Sequence, residues 1–205
     1  MKKIIFAMSA VSIIALSLLS SSDGVAEVQN QDRTGAPGSA QTCIQCHSQP
    51  GSMTATSSIS ITNLIGDEVS NYIAGDTYEV SFNVTSNTGV GYGFQATSVL
   101  ADGSNAGEFT NPGTSVHLQS VESRHIIEHS TPNSTGIFTA TWTAPETGSG
   151  DVGFYMSGLA ANLQSQHAGD AYHGTALSLT ENTNGVEELY RGMDQPTVSS
   201  NGISM

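Results

Sequence analysis

Short runs of alternating polar and apolar residues, separated by clusters of Gly, Pro, Asn and Ser, are the feature that most constrains how this chain can fold. The clearest run is 78–84 (YEVSFNV), in which every second residue is apolar or aromatic. Because successive side chains of a strand point to opposite faces, this run predicts a strand with one buried face. Several such strands joined by turns predict an all-β fold, an antiparallel β-sandwich. Weaker runs of the same kind lie at 58–61, 94–100, 138–143, 152–156 and 176–179.

The large apolar residues of these runs are the expected core, because they recur on one face of each strand. Trp142, the only tryptophan, is expected to pack in this core. A glycine-rich run at 89–93 (GVGYG) lacks the following helix that a dinucleotide site needs, so it is predicted to be a turn between strands. The core candidates are Phe82, Val84, Phe94, Ile126, Phe138, Trp142, Phe154 and Leu179.

Both cysteines of the chain lie in one pentapeptide, 43–47 (CIQCH). C-x-x-C-H is the attachment motif of c-type haem, in which each thiol forms a thioether to a vinyl group and the adjacent imidazole binds the iron. We therefore expect one covalent haem c on Cys43 and Cys46, with His47 as proximal ligand, in a loop bounded by turn residues. Two alternatives remain open: a Cys43–Cys46 disulfide with an idle histidine, or zinc bound by both cysteines and two histidines.

A second axial ligand for the iron has to come from a distant part of the chain. We favour His129 as the distal ligand because it directly precedes a turn, with His125 and His167 as alternatives. His125 and His129 lie four positions apart on an apparent strand, a spacing that predicts the same face. An open sixth position would leave room for peroxidase-like side chemistry. Weaker candidates are His117, His173, Met53 and Met156.

The first 26 residues have the pattern of an export signal. Lys2 and Lys3 precede an apolar run over 4–19, and 24–26 (GVA) is a small-x-small cleavage site. The apolar run is short for a membrane span, and no other segment is apolar enough, so we expect no stable membrane insertion. The predicted location is extracytoplasmic: the periplasm, the cell surface or the extracellular space. Two close thiols in that compartment either oxidise or carry a cofactor.

The charge of the chain excludes nucleic acid as a partner. The formal net charge is −13, and removal of residues 1–26 takes away both lysines and Asp23, which gives −14. A field of this sign repels phosphate backbones and anionic lipid. We divide the chain into a signal peptide (1–26), a flexible lead-in with the C-x-x-C-H segment (27–56), a β-sandwich (57–182) and a C-terminal tail (183–205), which includes a helix-like stretch at 185–191.

Seven short segments carry a family resemblance: 34–38 (TGAPG), 43–47 (CIQCH), 72–78 (YIAGDTY), 93–95 (GFQ), 106–109 (AGEF), 141–145 (TWTAP) and 150–155 (GDVGFY). In this order and spacing they resemble the bacterial reeler-like domains called choice-of-anchor V. The resemblance covers about residues 34–180, and His129 stands where that family tends to have a histidine. It implies an immunoglobulin-like, reeler-type β-sandwich in an exported, surface-associated protein.

Together these features predict an exported monohaem c-type cytochrome-like protein in extracytoplasmic electron transfer. Its expected partners are redox proteins or neighbouring haem proteins, and copies could also assemble with one another. The alternative is a cell-surface adhesion or matrix module in which a haem, or a Cys43–Cys46 disulfide, is structural. No catalytic triad, paired-carboxylate signature or phosphate-binding loop stands out, so we do not expect an enzyme.

Overall fold

The computed structural model describes residues 23–39, 41–47, 51–164 and 167–183. The predicted signal run, the stretch 185–191 and nearly all of the predicted tail lie outside these residues. A short helix, α1 (Val25–Gln29), and a 3-10 turn, Cys43–Gln45, precede the strands. The strands are β1 (Ala55–Thr62), β2 (Asn71–Tyr72), β3 (Thr77–Ser86), β4 (Gly91–Val99), β5 (Glu108–Thr110), β6 (Val116–Val121), β7 (Arg124–His129), β8 (Ile137–Thr143), β9 (Val152–Ala161) and β10 (Ala171–Glu181).

These strands form two facing sheets, which confirms the predicted all-β sandwich. The four-stranded sheet has the order β1-β3-β8-β5, and the six-stranded sheet has the order β2-β10-β9-β4-β7-β6. All of the paired strands are antiparallel except β2 and β10, which run parallel over two residue pairs. Among the described residues, none belongs to a helix with the length and apolarity needed to cross a bilayer.

Aromatic rings fill the space between the sheets. All eight core candidates are buried, with at most 1 % of each residue exposed. Trp142 packs edge-on against Phe154, with ring centroids 4.9 Å apart, and its Nε1–H donates to the carbonyl of Ala106 at 3.0 Å. Ile126 is the exception in placement. It lies outside the main core in a small cluster with Ala26 and Val121, which covers the other face of the six-stranded sheet.

Three strands were not predicted: β2, β5 and β6. β2 and β5 contain two and three residues, too few for an alternating pattern to be seen. The glycine-rich run was predicted to be a turn, but β4 already begins at Gly91 and pairs with β9 from that residue. Two glycines therefore lie within a central strand, where the missing side chains allow close approach of neighbouring groups.

The residues before β1 lie against the sandwich. We call residues 23–39 and 41–47 the N-terminal segment; the sequence predicts that much of it is flexible. Instead, Thr34 and Ala36 are buried, and the segment covers the face of the six-stranded sheet that points away from the core. The reason is hydrogen bonding: Gln95 of β4 bonds the backbone of the segment, as does Ser157 of β9. Buried polar side chains of the sheet thus find their partners in the segment.

Candidate functional site

A cavity of about 280 Å³ lies between the N-terminal segment and the outer face of the six-stranded sheet. The floor comes from β4 and β9, and the wall comes from the segment that carries the two cysteines. Most of its surface is apolar, with several titratable side chains among the lining residues. Residues that line it include Cys43, Cys46, His47, Phe94, His129 and His167. The fold therefore brings together the three C-x-x-C-H residues and two of the histidines considered as distal ligands.

Backbone hydrogen bonds and one ion pair fix the segment over the cavity. The N–H of Arg33 donates to the side-chain carbonyl of Gln95, and Ser157 donates its hydroxyl to the carbonyl of Arg33 at 2.5 Å. Farther along, the Arg124 guanidinium on β7 lies 2.9 Å from Oδ2 of Asp32. These contacts join parts of the chain that are far apart in sequence, so the cavity exists only in the folded sandwich.

The two cysteines lie on a single 3-10 turn. The N–H groups of Cys46 and His47 both donate to the carbonyl of Cys43, at 3.3 and 3.1 Å, which places both thiols on one turn. Neither thiol is in a disulfide; Cys43 is half-buried and Cys46 is exposed. Burial raises the pKa of Cys43 to about 12, against a smaller lowering effect of Arg33. A protonated thiol is a weak nucleophile, so Cys43 should react slowly with oxidants.

His47 is held by a carboxylate. Its Nδ1 lies 2.8 Å from Oδ2 of Asp170, so Nδ1 carries the proton and donates it. The other oxygen of Asp170 accepts the N–H of Asn162 at 3.0 Å, which fixes the carboxylate in turn. Burial lowers the pKa of His47; the bond to Asp170 opposes this, and nearby His167 and His129 lower it further. A neutral imidazole with a carboxylate on one nitrogen is the usual form of a metal-binding histidine.

His129 is the last residue of β7, and its ring occupies the position of a backbone hydrogen bond between β7 and β4. The pairing of β4 with β7 covers only two residue pairs, and beyond it Nδ1 of His129 lies 3.2 Å from the N and 3.0 Å from the O of Phe94. A side chain at Gly93 would come within 2.9 Å of the ring, so this glycine makes room for it. Burial lowers the pKa of His129, which favours the neutral ring.

His167 lies next to His47. The two rings meet edge to face with centroids 4.5 Å apart, and His167 has a left-handed backbone with φ of 51°. The potential ligand atoms of His47, His167 and Asp170 all lie within 4.8 Å of one another, close enough for one metal ion. Because the rings of His47 and His167 are in direct edge contact, a haem would not fit between them unless His167 moved.

Residues 39–162 match the Reeler domain family. The chain belongs to the Reeler domain family. The matched range includes the cysteine turn and His129, whereas His167 and Asp170 lie beyond its end. No curated protein matches the chain.

Three solved Reeler structures resemble the fold. The human F-spondin reeler domain (fragment 1) is 17 % identical, with a TM-score of 0.45 over 60 % of this chain and 88 % of that one. The Reelin-N domain of F-spondin is 18 % identical, with a TM-score of 0.45 over 60 % and 86 %. Fragment 2 of the human reeler domain is 16 % identical, with a TM-score of 0.41 over 65 % and 91 %.

The remaining sequence candidates lie elsewhere in this Reeler domain. His125 is exposed and lines a separate depression with Glu108 and Ile126, so it does not share the cavity with His129. The spacing rule fails here because the ring of His129 turns to the backbone of β4. Three further candidates do not line the cavity either. His117 bonds Glu128, His173 accepts the N–H of Ser57, and Met156 is in the core.

Sequence reasoning missed four residues that shape the cavity: Gly93, Gln95, Glu128 and Asp170. Glu128 had a visible signal, since it is a charged residue that follows two apolar residues on a strand run, and Gly93 and Gln95 lie in the segment 93–95 (GFQ). Asp170 lies 123 residues from its partner, so no local pattern connects the two.

Proposed function

We propose that this protein is an exported Reeler-family module that holds one covalent haem c in the cavity beneath its N-terminal segment. The observation that carries the proposal is the Asp170-bound imidazole of His47, on the same short turn as the two free thiols of Cys43 and Cys46. This is the donor set that a c-type haem requires, and all of it lines one cavity. The choice-of-anchor V resemblance is part of the same proposal.

The residues present fit this group in chemistry. The cavity, at about 280 Å³, is just below the usual ligand-site range of about 300–1,000 Å³. Leu159 supplies apolar side-chain surface, and the exposed Cys46 marks the side that is open to solvent. Cys43 and Cys46 would hold the macrocycle through thioethers, and His47 would bind its iron. A bound haem supplies a one-electron centre whose potential depends on its axial ligands and surroundings.

Of the histidines, His129 suits the distal position best. It lines the cavity, its ring is held by the Phe94 backbone through Nδ1, and it is close enough to His47 to lower that residue's pKa. His167 is in direct ring contact with His47, and His125 lies outside the cavity. The protein's part is to keep both imidazoles neutral, to hold the Nδ1 proton of His47 on Asp170, and to exclude water with apolar side chains.

Export and a covalent haem are consistent with two roles. In the first, the haem exchanges single electrons with a redox partner or a neighbouring haem protein. In the second, the protein is a surface adhesion or matrix module, and the haem or a Cys43–Cys46 disulfide only stabilises the N-terminal segment. Membership of the Reeler family favours the second role, because the resemblance implies a surface-associated protein. The two neutral imidazoles in one cavity favour the first.

The test is export of the full chain, with its own signal, from a bacterium that has haem-attachment machinery. We expect a mass increase of one haem, a visible absorption spectrum and reversible reduction in a redox titration. The matched control is the double variant Cys43→Ser/Cys46→Ser, which keeps His47 and should be colourless. A colourless wild-type protein with joined thiols would contradict haem binding. A covalent haem that cannot be reduced would contradict electron transfer and favour the surface-module role.

Zinc at His47, His167 and Asp170 is a separate outcome of the same preparation. Elemental analysis of the purified protein distinguishes it, because zinc without iron would assign the three-donor cluster to the metal. Iron in a one-to-one ratio, with no zinc, supports the haem.

A further inference from the structure

Glu128 is a carboxylate held away from solvent where the N-terminal segment begins. Its side chain is 0 % exposed and accepts four hydrogen bonds. Two come from the backbone N–H groups of Ala26, at 3.0 Å, and Glu27, at 2.9 Å. The others come from Nε2 of Gln95 and Nε2 of His117, both at 3.0 Å.

None of these four donors carries a permanent charge. A buried carboxylate is ordinarily matched by a cation, because removing its charge from water is costly. The two arginines of the described residues are used elsewhere: Arg33 bonds Gln31 and Gln41, and Arg124 pairs with Asp32. Among the described residues, no arginine or lysine therefore lies within ion-pair distance of this carboxylate, and its one titratable donor is the His117 ring.

The two residues of the predicted signal cleavage site both contact this carboxylate. The sequence predicts hydrolysis of the peptide bond between Ala26 and Glu27, and the nitrogen of that bond lies 2.9 Å from Oε1 of Glu128. Gly24 is also in contact with the carboxylate, so a side chain at that position would collide with it. Residues on both sides of the predicted cleavage point therefore pack against one buried charge.

We propose that Glu128 is the binding site of the mature N-terminus, where the α-ammonium of Glu27 forms a buried ion pair. Signal peptidase hydrolyses the Ala26–Glu27 bond with one water; Ala26 keeps the new carboxylate, and the nitrogen of Glu27 is protonated to an ammonium. That nitrogen already lies within hydrogen-bond distance, so the pair forms in place. An ammonium has three donors, so it also replaces the N–H that leaves with Ala26.

Removal of the leader also changes the cavity. Gly24 and Val25 line it in the full chain, and both leave with the signal. The mature cavity is therefore larger than 280 Å³ on the side of the new N-terminus. This consequence rests on the proposed haem function, because it makes room for the macrocycle, whereas the ion pair at Glu128 does not depend on a cofactor.

The composition of the chain provides a direct test. Its only lysines are Lys2 and Lys3, so the mature protein has one primary amine, the α-amine of its first residue. We expect mass spectrometry of the exported protein to show Glu27 as that residue. Reductive methylation with ¹³C-formaldehyde then labels a single nitrogen. The folded protein should react about tenfold more slowly than the same protein in urea, because the amine is paired and buried.

Two variants test whether Glu128 is responsible. Glu128→Gln keeps the shape but removes the charge, and it should bring the labelling rate close to that in urea. Insertion of Gly-Ser between Ala26 and Glu27 moves the amine away from an intact Glu128, so it should have the same effect even if Glu128→Gln does not fold. Glu122→Gln, at an exposed acid, is the matched control and should leave the amine protected.

Two results would overturn the proposal: a first residue other than Glu27, or an amine that reacts equally fast folded and unfolded. Repeating the labelling in the colourless Cys43→Ser/Cys46→Ser variant separates this proposal from the haem proposal. Protection without haem supports the ion pair alone, whereas loss of protection there would contradict a cofactor-independent pair.

Discussion

The sandwich core and the cavity lie on opposite faces of the same six-stranded sheet, but different interactions build them. The core is made of apolar side chains, with rings such as Phe94 and Phe138 stacked at 4.5 Å. The cavity has a mostly apolar surface, but specific hydrogen bonds hold its functional side chains, as Asp170 holds His47. The core therefore depends on filled volume, and the site depends on individual hydrogen bonds. Mutations should damage one without damaging the other.

The largest expected effect is on the core. Trp142→Ala removes a fully buried ring that packs against Phe154 and hydrogen-bonds Ala106, so it should lower the free energy of unfolding by about 3–5 kcal/mol. Urea unfolding followed by far-UV circular dichroism measures this loss. Ile65→Ala, at an 84 % exposed side chain, is the control and should change little. Equal effects of the two substitutions would contradict a core role for Trp142.

On the cavity side, His129→Ala should convert the haem-loaded protein from low-spin to high-spin without releasing the covalent haem, because the distal imidazole is lost. Gly93→Ala should cause part of the same change, since its new Cβ would press on the ring of His129. His125→Ala is the matched control and should leave the visible spectrum unchanged. A low-spin spectrum in His129→Ala would transfer the distal role to another residue.

Asp170→Asn tests how the site depends on one hydrogen bond. The variant removes the carboxylate that makes His47 more basic, so the ferric form should lose stability relative to the ferrous form. We expect the midpoint potential to rise by about 60 mV, which corresponds to about tenfold in that preference. A redox titration measures the shift. Asp67→Asn, at an exposed loop residue, should not change the potential.

The two regions should also differ in their response to acid. Burial lowers the pKa values of His47 and His129 below the ordinary 6.5, so the folded state binds fewer protons than the unfolded state. In the haem-free protein their stabilising contribution is fully present above pH 6.5. It is lost as the pH falls toward the folded values, by up to about 1.4 kcal/mol per pH unit for each histidine.

Urea unfolding at pH 7.5 and pH 5.5 checks this prediction. The double variant His47→Gln/His129→Gln in the Cys43→Ser/Cys46→Ser background should show a smaller drop between the two pH values. His125→Gln in the same background should keep the full drop, because its side chain is exposed. An identical drop in all of these variants would assign acid sensitivity to other groups.

The smallest expected effect is at the edge of the N-terminal segment. The guanidinium of Arg124 bonds Asp32 at 2.9 Å and the carbonyl of Pro37 at 2.7 Å. Arg124→Gln should lower the free energy of unfolding by about 1 kcal/mol, because these bonds are partly open to water. It should also make the segment a better protease substrate. No change in limited proteolysis would show that the segment is held by its other contacts alone.

The fold could be predicted from the sequence more fully than the site. The alternating pattern of β3 and β8 identified the strands and the buried aromatic residues, because apolar residues recur on the buried face of each strand. The cysteine turn was visible for the same reason, as a local motif. The partners of that turn were not, since Asp170 and Ser157 meet the segment only through the sheet topology. The packing of 27–39 was missed because its bonds go to side chains far along the chain.

If the protein is exported and receives its haem as proposed, the distance in sequence between the cysteine turn and its partners sets an order of events. A chain that crosses a membrane from its N-terminus presents Cys43 and Cys46 first, and Ser157 and Asp170 more than a hundred residues later. Until that later part arrives, nothing can hold the turn against the sheet. In that case the thiols would remain accessible to haem-attachment enzymes during translocation, until β9 and β10 are complete.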